Sequence, residues 1–292
     1  MDQINNHLLK GKYGKSIPVD IYWKTSIAPL PILVFAHGFK GFKDWGHWEA
    51  IAKKFVEAGY CFVKFNFSHN GTTPDNPLDF VDLEAFGQNN YSKELDDLQT
   101  VLDWIVQAQE LRSKINWNTK DINLIGHSRG GPIALIATKE NDYVQRVITW
   151  AGVHELNYAW QQEEEKIKQW EKDGVYYVLN GRTKQNMPLY YQLFEDYQKN
   201  AKRLSIKNTL QDLNKPYLIV HGSADPAVPV DAANYLLEHA ANAELCLIDG
   251  ANHVFGGQHP FDKNHLPKHT QELIVESLSF LKKKGNKNEK KY

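Results

Sequence analysis

A serine hydroxyl becomes a useful nucleophile only where backbone, base and acid are arranged around it. The stretch Ile122 to Gly131, INLIGHSRGG, supplies the backbone part. An apolar run ends in Gly126-His127-Ser128-Arg129-Gly130 and passes directly into a helix-like segment, Pro132 to Thr138. This is the G-x-S-x-G pattern in its strand, turn and helix context, which lifts the serine hydroxyl to the start of a helix. Glycines at 126 and 130 are required because side chains there would collide with the neighbouring strand and helix. The helix N-terminus and the Arg129 N–H favour negative charge on the reacting oxygen. A plain Gly-Ser turn without chemistry is the bland alternative, and the flanking strand and helix argue against it. The Arg129 side chain is expected to be solvated or ion-paired at the surface rather than in contact with substrate.

The base and its orienting acid are expected downstream. Pro216 to Pro226, PYLIVHGSADP, is an apolar strand that delivers Asp225 just past its carboxyl end. Glu244 to Phe255, ELCLIDGANHVF, is a strand ending in a Gly250 turn that presents His253. In chain order the three are Ser128, Asp225 and His253, the Ser, acid, His order that accompanies G-x-S-x-G. Asp249 also follows a strand, but it shares the turn of His253 and is the weaker candidate acid. His47, His69, His127, His154, His221, His239, His259, His265 and His269 lack placement after the last strand and read as surface or loop-bracing residues. No H-E-x-x-H or C-x-x-C spacing, no G-x-G-x-x-G after a strand and no P-loop is present, so neither a metal nor a cofactor is expected.

Short buried-type strands must position these residues. Pro31–Ala36, Tyr60–Phe67, Ile122–Ile125, Val147–Trp150, Pro216–Val220 and Glu244–Ile248 have that character, and Ile17–Trp23 alternates as a half-buried strand does. Helical patterns lie between them, the clearest from Lys93 to Gln109 with Ser92 as N-cap, and another from Thr270 to Lys283. Alternation of this kind predicts an α/β fold with a mainly parallel sheet flanked by helices, and ligands bind at the carboxyl ends of such strands. From His154 to Leu213 the rhythm breaks: a charged helical stretch, Gln161–Lys172, precedes the aromatic-rich run Val175–Tyr197. A structureless loop of that length is uncommon, so 154–213 is expected to be an inserted helical cap on a core formed by 1–153 and 214–284, with a polar Lys-rich tail at 285–292.

Four motifs in register, His37-Gly38 after a strand, Gly-His-Ser-Arg-Gly, His-Gly-Ser-Ala-Asp-Pro and Gly-Ala-Asn-His, resemble the α/β-hydrolase family from about Ile17 to Leu281. Within it the chain is most similar to serine esterases related to cinnamoyl (feruloyl) esterases and dienelactone hydrolases, with some similarity to prolyl-oligopeptidase-type domains. Ser128 stands where dienelactone hydrolases carry cysteine, which argues against dienelactone as substrate. An aspartate elbow, as in haloalkane dehalogenases, is absent. The resemblance implies that the backbone N–H groups of Phe39 and Arg129 form the oxyanion hole, and that His37 braces the loop.

The chain has 292 residues, 42% hydrophobic and 24% charged, which is ordinary for a globular protein. Lys and Arg number 34 against 35 Asp and Glu, a net charge of -1 that disfavours nucleic acid as a partner. No apolar stretch is long enough for a membrane helix and no signal-peptide core is recognisable, so no membrane association and a cytoplasmic location are expected. Cys61 and Cys246 lie in separate strand-like runs and read as buried thiols. The oligomeric state is left open.

These readings together predict a serine carboxylic ester hydrolase acting through an acyl-enzyme on a small-molecule ester. Trp160, Tyr190 and Tyr191 of the insert are candidate substrate contacts suited to aromatic, hydroxycinnamate-type groups, although the same rings equally suit a small core for the insert. The alternatives are a serine aminopeptidase-type peptidase, in which Glu163, Glu164 and Glu165 would hold a substrate ammonium, a thioesterase, and a non-catalytic binding protein on a hydrolase scaffold.

Overall fold

The computed structural model describes residues 1–158, 160 and 163–283; the 285–292 tail lies outside the described residues. Its strands are β1 (Asp2–Lys10), β2 (Ser16–Trp23), β3 (Leu30–Ala36), β4 (Cys61–Phe65), β5 (Trp117–His127), β6 (Val144–Trp150), β7 (Val175–Leu179), β8 (Asn186–Tyr190), β9 (Tyr217–Gly222) and β10 (Ala243–Ile248). Eight of them form one sheet in the order β1-β2-β4-β3-β5-β6-β9-β10. The first two pairings, β1 with β2 and β2 with β4, are antiparallel; the rest are parallel.

The pleat sorts side chains onto two faces. On β3, Ile32, Val34 and Ala36 join one buried cluster while Leu33 and Phe35 join the other. Helices α1 (Trp48–Glu57), α2 (Leu83–Gly87), α3 (Tyr91–Gln107), α4 (Gln109–Ile115) and α5 (Gly130–Glu140) occupy the first half of the chain. The second half adds α6 (Glu164–Asp173), α7 (Gln192–Lys199), α8 (Ala201–Leu204), α9 (Ile206–Asp212), α10 (Val230–His239) and α11 (Lys268–Lys282). Helices α1 and α11 cover one face; α3, α5, α9 and α10 cover the other. The result is a mainly parallel sheet with helices on both faces, as the strand and helix alternation predicts, and it agrees with the α/β-hydrolase fold that the motif resemblance implies.

Several details differ from the sequence reading. Strand β1 is missed by its pattern: DQINNHLLK is polar and largely exposed, and the segment is a strand because it pairs with β2. Helix α3 starts earlier than expected, and its N-cap is Asn90, whose side chain accepts from the Lys93 N–H at 2.9 Å, not Ser92. The segment between β6 and β9 is not purely helical, since β7 and β8 form an antiparallel hairpin between α6 and α7. Cys61 is buried but Cys246 is only half-buried, because β10 is the sheet's edge strand.

One charged group lies deep in the first half of the sheet. Asp20 on β2 faces Lys64 on β4 across the ladder. Lys43 reaches Asp20 at 2.7 Å and Asp44 at 2.6 Å, and Lys64 also bonds both carboxylates. Two cations and two anions thus compensate each other where single charges would be costly.

Candidate active site

The carboxyl ends of β5, β9 and β10 deliver Ser128, Asp225 and His253. Ser128 lies between β5 and α5 with φ +54°, a left-handed conformation unusual for a residue with a side chain. Its N–H donates to the Trp150 carbonyl at 2.9 Å, and its carbonyl accepts from the Gly131 N–H at 3.0 Å. Both flanking glycines are sterically required. A Cβ on Gly126 would sit 2.2 Å from the Gly130 carbonyl oxygen, and one on Gly130 would sit 2.4 Å from that of Ala36.

His253 Nδ1–H donates to Asp225 Oδ2 at 2.8 Å. The Asp225 side chain is fully buried, and its second oxygen accepts the N–H groups of Ala227 and Val228 at 2.8 and 3.0 Å. Burial opposes ionisation of this carboxyl, but the His253 bond and the two backbone donors outweigh it and hold its pKa below the ordinary value. With Nδ1 engaged, the imidazole keeps Nε2 available as an acceptor. Asp249 is instead tied to Ser223, whose Oγ donates to it at 3.0 Å. His127 packs its ring on His253, with centroids 4.8 Å apart, and donates from Nε2 to the His253 carbonyl at 2.9 Å. His221 likewise braces the acid loop by donating to the Val228 carbonyl at 2.9 Å. His47 departs from the surface or bracing expectation: it is buried against Trp48 with neither ring nitrogen hydrogen-bonded among the described residues.

Gly38 lies against Ser128, and a Cβ there would come within 2.8 Å of Ser128 Cβ. The backbone N–H groups of Phe39 and Arg129 find no acceptor among the described residues. His37 braces this loop: Nδ1–H donates to the Gly38 carbonyl at 2.9 Å and Nε2 accepts from the Phe67 N–H at 3.4 Å. Burial lowers its pKa to about 4, so it stays neutral. The Arg129 side chain is not at the surface. It is buried, bonds Glu94 at 2.5 Å and lies 4.5 Å over the Phe39 ring, so one guanidinium ties together the two segments carrying the free N–H groups.

Ser128 and His253 share a pocket of about 220 Å³ with Phe39, Lys40, Trp48 and Asn180. No hydrogen bond joins Ser128 Oγ to His253 among the described residues; catalytic contacts of this kind commonly close only when substrate binds. Beside it, and sharing Phe39 and Lys40, is a chamber of about 290 Å³ walled by Tyr158, Trp160, Trp170 and Tyr176. Trp160 therefore lines the neighbouring chamber and not the pocket of Ser128 itself. Tyr190 and Tyr191 do not line either pocket. Tyr190 hydrogen-bonds Glu84 at 2.5 Å and packs over Gly87, while Tyr191 stacks on Phe194 against the large buried cluster that includes Trp170 and Leu193. Sequence reasoning missed Lys40 and Asn180, which carry no motif; only the fold of the hairpin brings Asn180 over Ser128. Glu163 and Glu165 pair with Lys166 and Lys168 at 3.2 and 2.9 Å, and no glutamate among the described residues lines either pocket.

The sequence profile of the BD-FAE family matches residues 19–239. The chain belongs to the BD-FAE family. A protein carrying an esterase/lipase name in Mycoplasma pneumoniae is 23% identical over 242 residues, spanning 75% of this chain and 81% of that protein. The serine hydrolase BPHL of Mus musculus is 30% identical over 150 residues, 46% of this chain and 49% of its own. Among solved structures, Est1E from Butyrivibrio proteoclasticus superposes with a TM-score of 0.66 at 18% identity, covering 96% of this chain and 98% of Est1E. The same protein is also known with ferulic acid bound. Mouse alpha/beta hydrolase domain-containing protein 10 gives a TM-score of 0.68 at 15% identity, covering 96% and 98%. This BD-FAE member is accordingly a hydrolase of the esterase/lipase type. No helix among the described residues is long and apolar enough to cross a membrane.

Proposed function

We propose that the chain is a serine carboxylic ester hydrolase in which Ser128 is the nucleophile, His253 the general base and Asp225 its orienting acid. The observation that carries the reading is the His253–Asp225 hydrogen bond at 2.8 Å beside a serine held at φ +54° in the same pocket. His253 Nε2 takes the Ser128 proton as Oγ attacks the ester carbonyl, and Asp225 fixes the tautomer and stabilises the imidazolium. The free N–H groups of Phe39 and Arg129 receive the developing oxyanion. His253 then protonates the leaving alcohol, and the acyl-enzyme is cleared by water that the same imidazole activates.

Small aromatic esters of the hydroxycinnamate type suit the aromatic chamber next to Ser128. The ferulic acid bound to Est1E supports that class by analogy. That no glutamate among the described residues lines the two pocket walls weighs against a peptidase that would recognise a substrate ammonium.

Labelling with a fluorophosphonate and hydrolysis of p-nitrophenyl acetate test the assignment. Both should vanish in Ser128→Ala while circular dichroism and Tm persist; retained hydrolysis would remove Ser128 from the role. A panel of amino-acid p-nitroanilides and acyl thioesters separates the esterase from a peptidase or thioesterase.

A further inference from the structure

Lys40 follows Phe39 directly and holds a left-handed backbone at φ +54°, which a lysine adopts only at a cost. That strain accompanies a particular placement. The side chain is half-buried, forms part of the wall of both the nucleophile pocket and the aromatic chamber, and donates to the Leu179 carbonyl at 3.2 Å. Its other contact among the described residues is the Phe39 ring, 5.5 Å from Nζ. Neither contact is a carboxylate. An ammonium has three protons to donate, and a single carbonyl leaves the positive charge uncompensated in partly desolvated surroundings. Burial accordingly lowers its pKa.

The surroundings reinforce the same sign. No Asp or Glu among the described residues lines either pocket, and Lys166, on the chamber wall with Lys40, has its charge met by Glu163 at 3.2 Å outside the lining. Asn180, on the turn between β7 and β8, has its Oδ1 taken by the N–H groups of Arg182 and Thr183 at 3.0 and 3.4 Å. What it offers the nucleophile pocket is therefore its amide donors.

We propose that the esters taken by this site carry a carboxylate in their acyl part, held by Lys40 Nζ with the Asn180 amide on the same wall while the ester carbonyl lies at Ser128. The inference rests on the esterase reading above and names a feature of its substrate. Half-esters of dicarboxylic acids are the simplest members of the class. The chamber beyond Lys40 admits an aromatic body as well.

Two p-nitrophenyl esters of matched chain length test it, the anionic hemiglutarate and the neutral valerate. Wild-type kcat/KM should favour the hemiglutarate at least ten-fold, which corresponds to about 1.4 kcal/mol. Lys40→Asn removes the cation while keeping a residue that tolerates positive φ, and should bring the ratio near one, chiefly through KM. Lys40→Arg should retain the preference. The wild-type ratio alone decides the matter should either variant fold poorly. Hydrolysis of the valerate with normal fluorophosphonate labelling, but no hemiglutarate preference, overturns this inference and spares the esterase reading. A preference confined to the alcohol side, seen as 4-acetoxybenzoate over phenyl acetate without the hemiglutarate effect, also overturns it. Failure of both p-nitrophenyl esters together with failure of labelling removes the esterase reading and this inference with it.

Discussion

Removing Glu94 isolates the Arg129 guanidinium in the protein interior, and the cost can be worked out from its surroundings. The pair is 2.5 Å apart with side chains only 9% and 2% exposed, and Arg129 pairs with no other carboxylate among the described residues. Breaking a buried pair by deleting one partner costs about 3–5 kcal/mol, because the survivor stays desolvated. Glu94→Leu should therefore lower Tm by roughly 6–15 °C, at about 2–3 °C per kcal/mol for a chain of this size. The double variant Glu94→Leu/Arg129→Met should recover most of that loss, staying about 1–3 kcal/mol short of the parent because the buried Asn89 amide, which donates to Glu94 at 2.7 Å, is left unpaired. Urea denaturation of the parent, both single variants and the double variant gives the coupling energy directly. A double variant as unstable as the sum of the singles would refute the reasoning, for the two groups would then contribute independently.

Gly38→Ala should cut kcat by about 100–1000-fold, as loss of an oxyanion donor does, with a stability cost of only about 1–3 kcal/mol; its Cβ would press on Ser128 Cβ at 2.8 Å, and steady-state kinetics beside a melting curve checks the split. Ser128→Gly should be more stable than Ser128→Ala by about 1 kcal/mol, because only glycine relaxes at φ +54°; calorimetry of the two inactive variants decides it. Asp97 is raised to about 7, chiefly by burial, so the folded state holds a proton that the unfolded chain loses near pH 4. Its contribution is thus present at low pH and is lost as pH climbs from about 4 to about 7, by up to about 4 kcal/mol. Urea midpoints of Asp97→Asn and the parent should accordingly diverge in favour of the variant as pH rises; parallel pH profiles would show that Asp97 ionises normally.

The residues of the candidate site were legible in the sequence because each sits on a local geometric rule. Gly126 and Gly130 announce a turn with no room for a Cβ, and Asp225 and His253 each follow an apolar run long enough to be a buried strand. What escaped notice depends on pairing and tertiary placement. Strand β1 carries no alternating pattern, bends at Asn6, and gains its hydrogen bonds from β2 alone. Asn90 and Ser92 are both credible helix caps; the choice falls to Asn90 because Ser92 is engaged with Asn200 and Asp196 on the insert. Tyr190 and Tyr191 look like substrate contacts by composition, yet the hairpin and α7 turn them toward Gly87 and Phe194. Arg129 reads as a surface residue until α3 brings Glu94 beneath it.

The hairpin of the insert is fastened at its tip. Arg182 and Gln185 donate to the carbonyls of Leu78 and Phe80, and Lys40 grips the Leu179 carbonyl from below. Roof and floor of the pocket are consequently linked through the residue next to Phe39. Lifting the hairpin would tug on the very peptide proposed to receive the negative oxygen, so a site opened to solvent would also be a site with its anion cradle slackened.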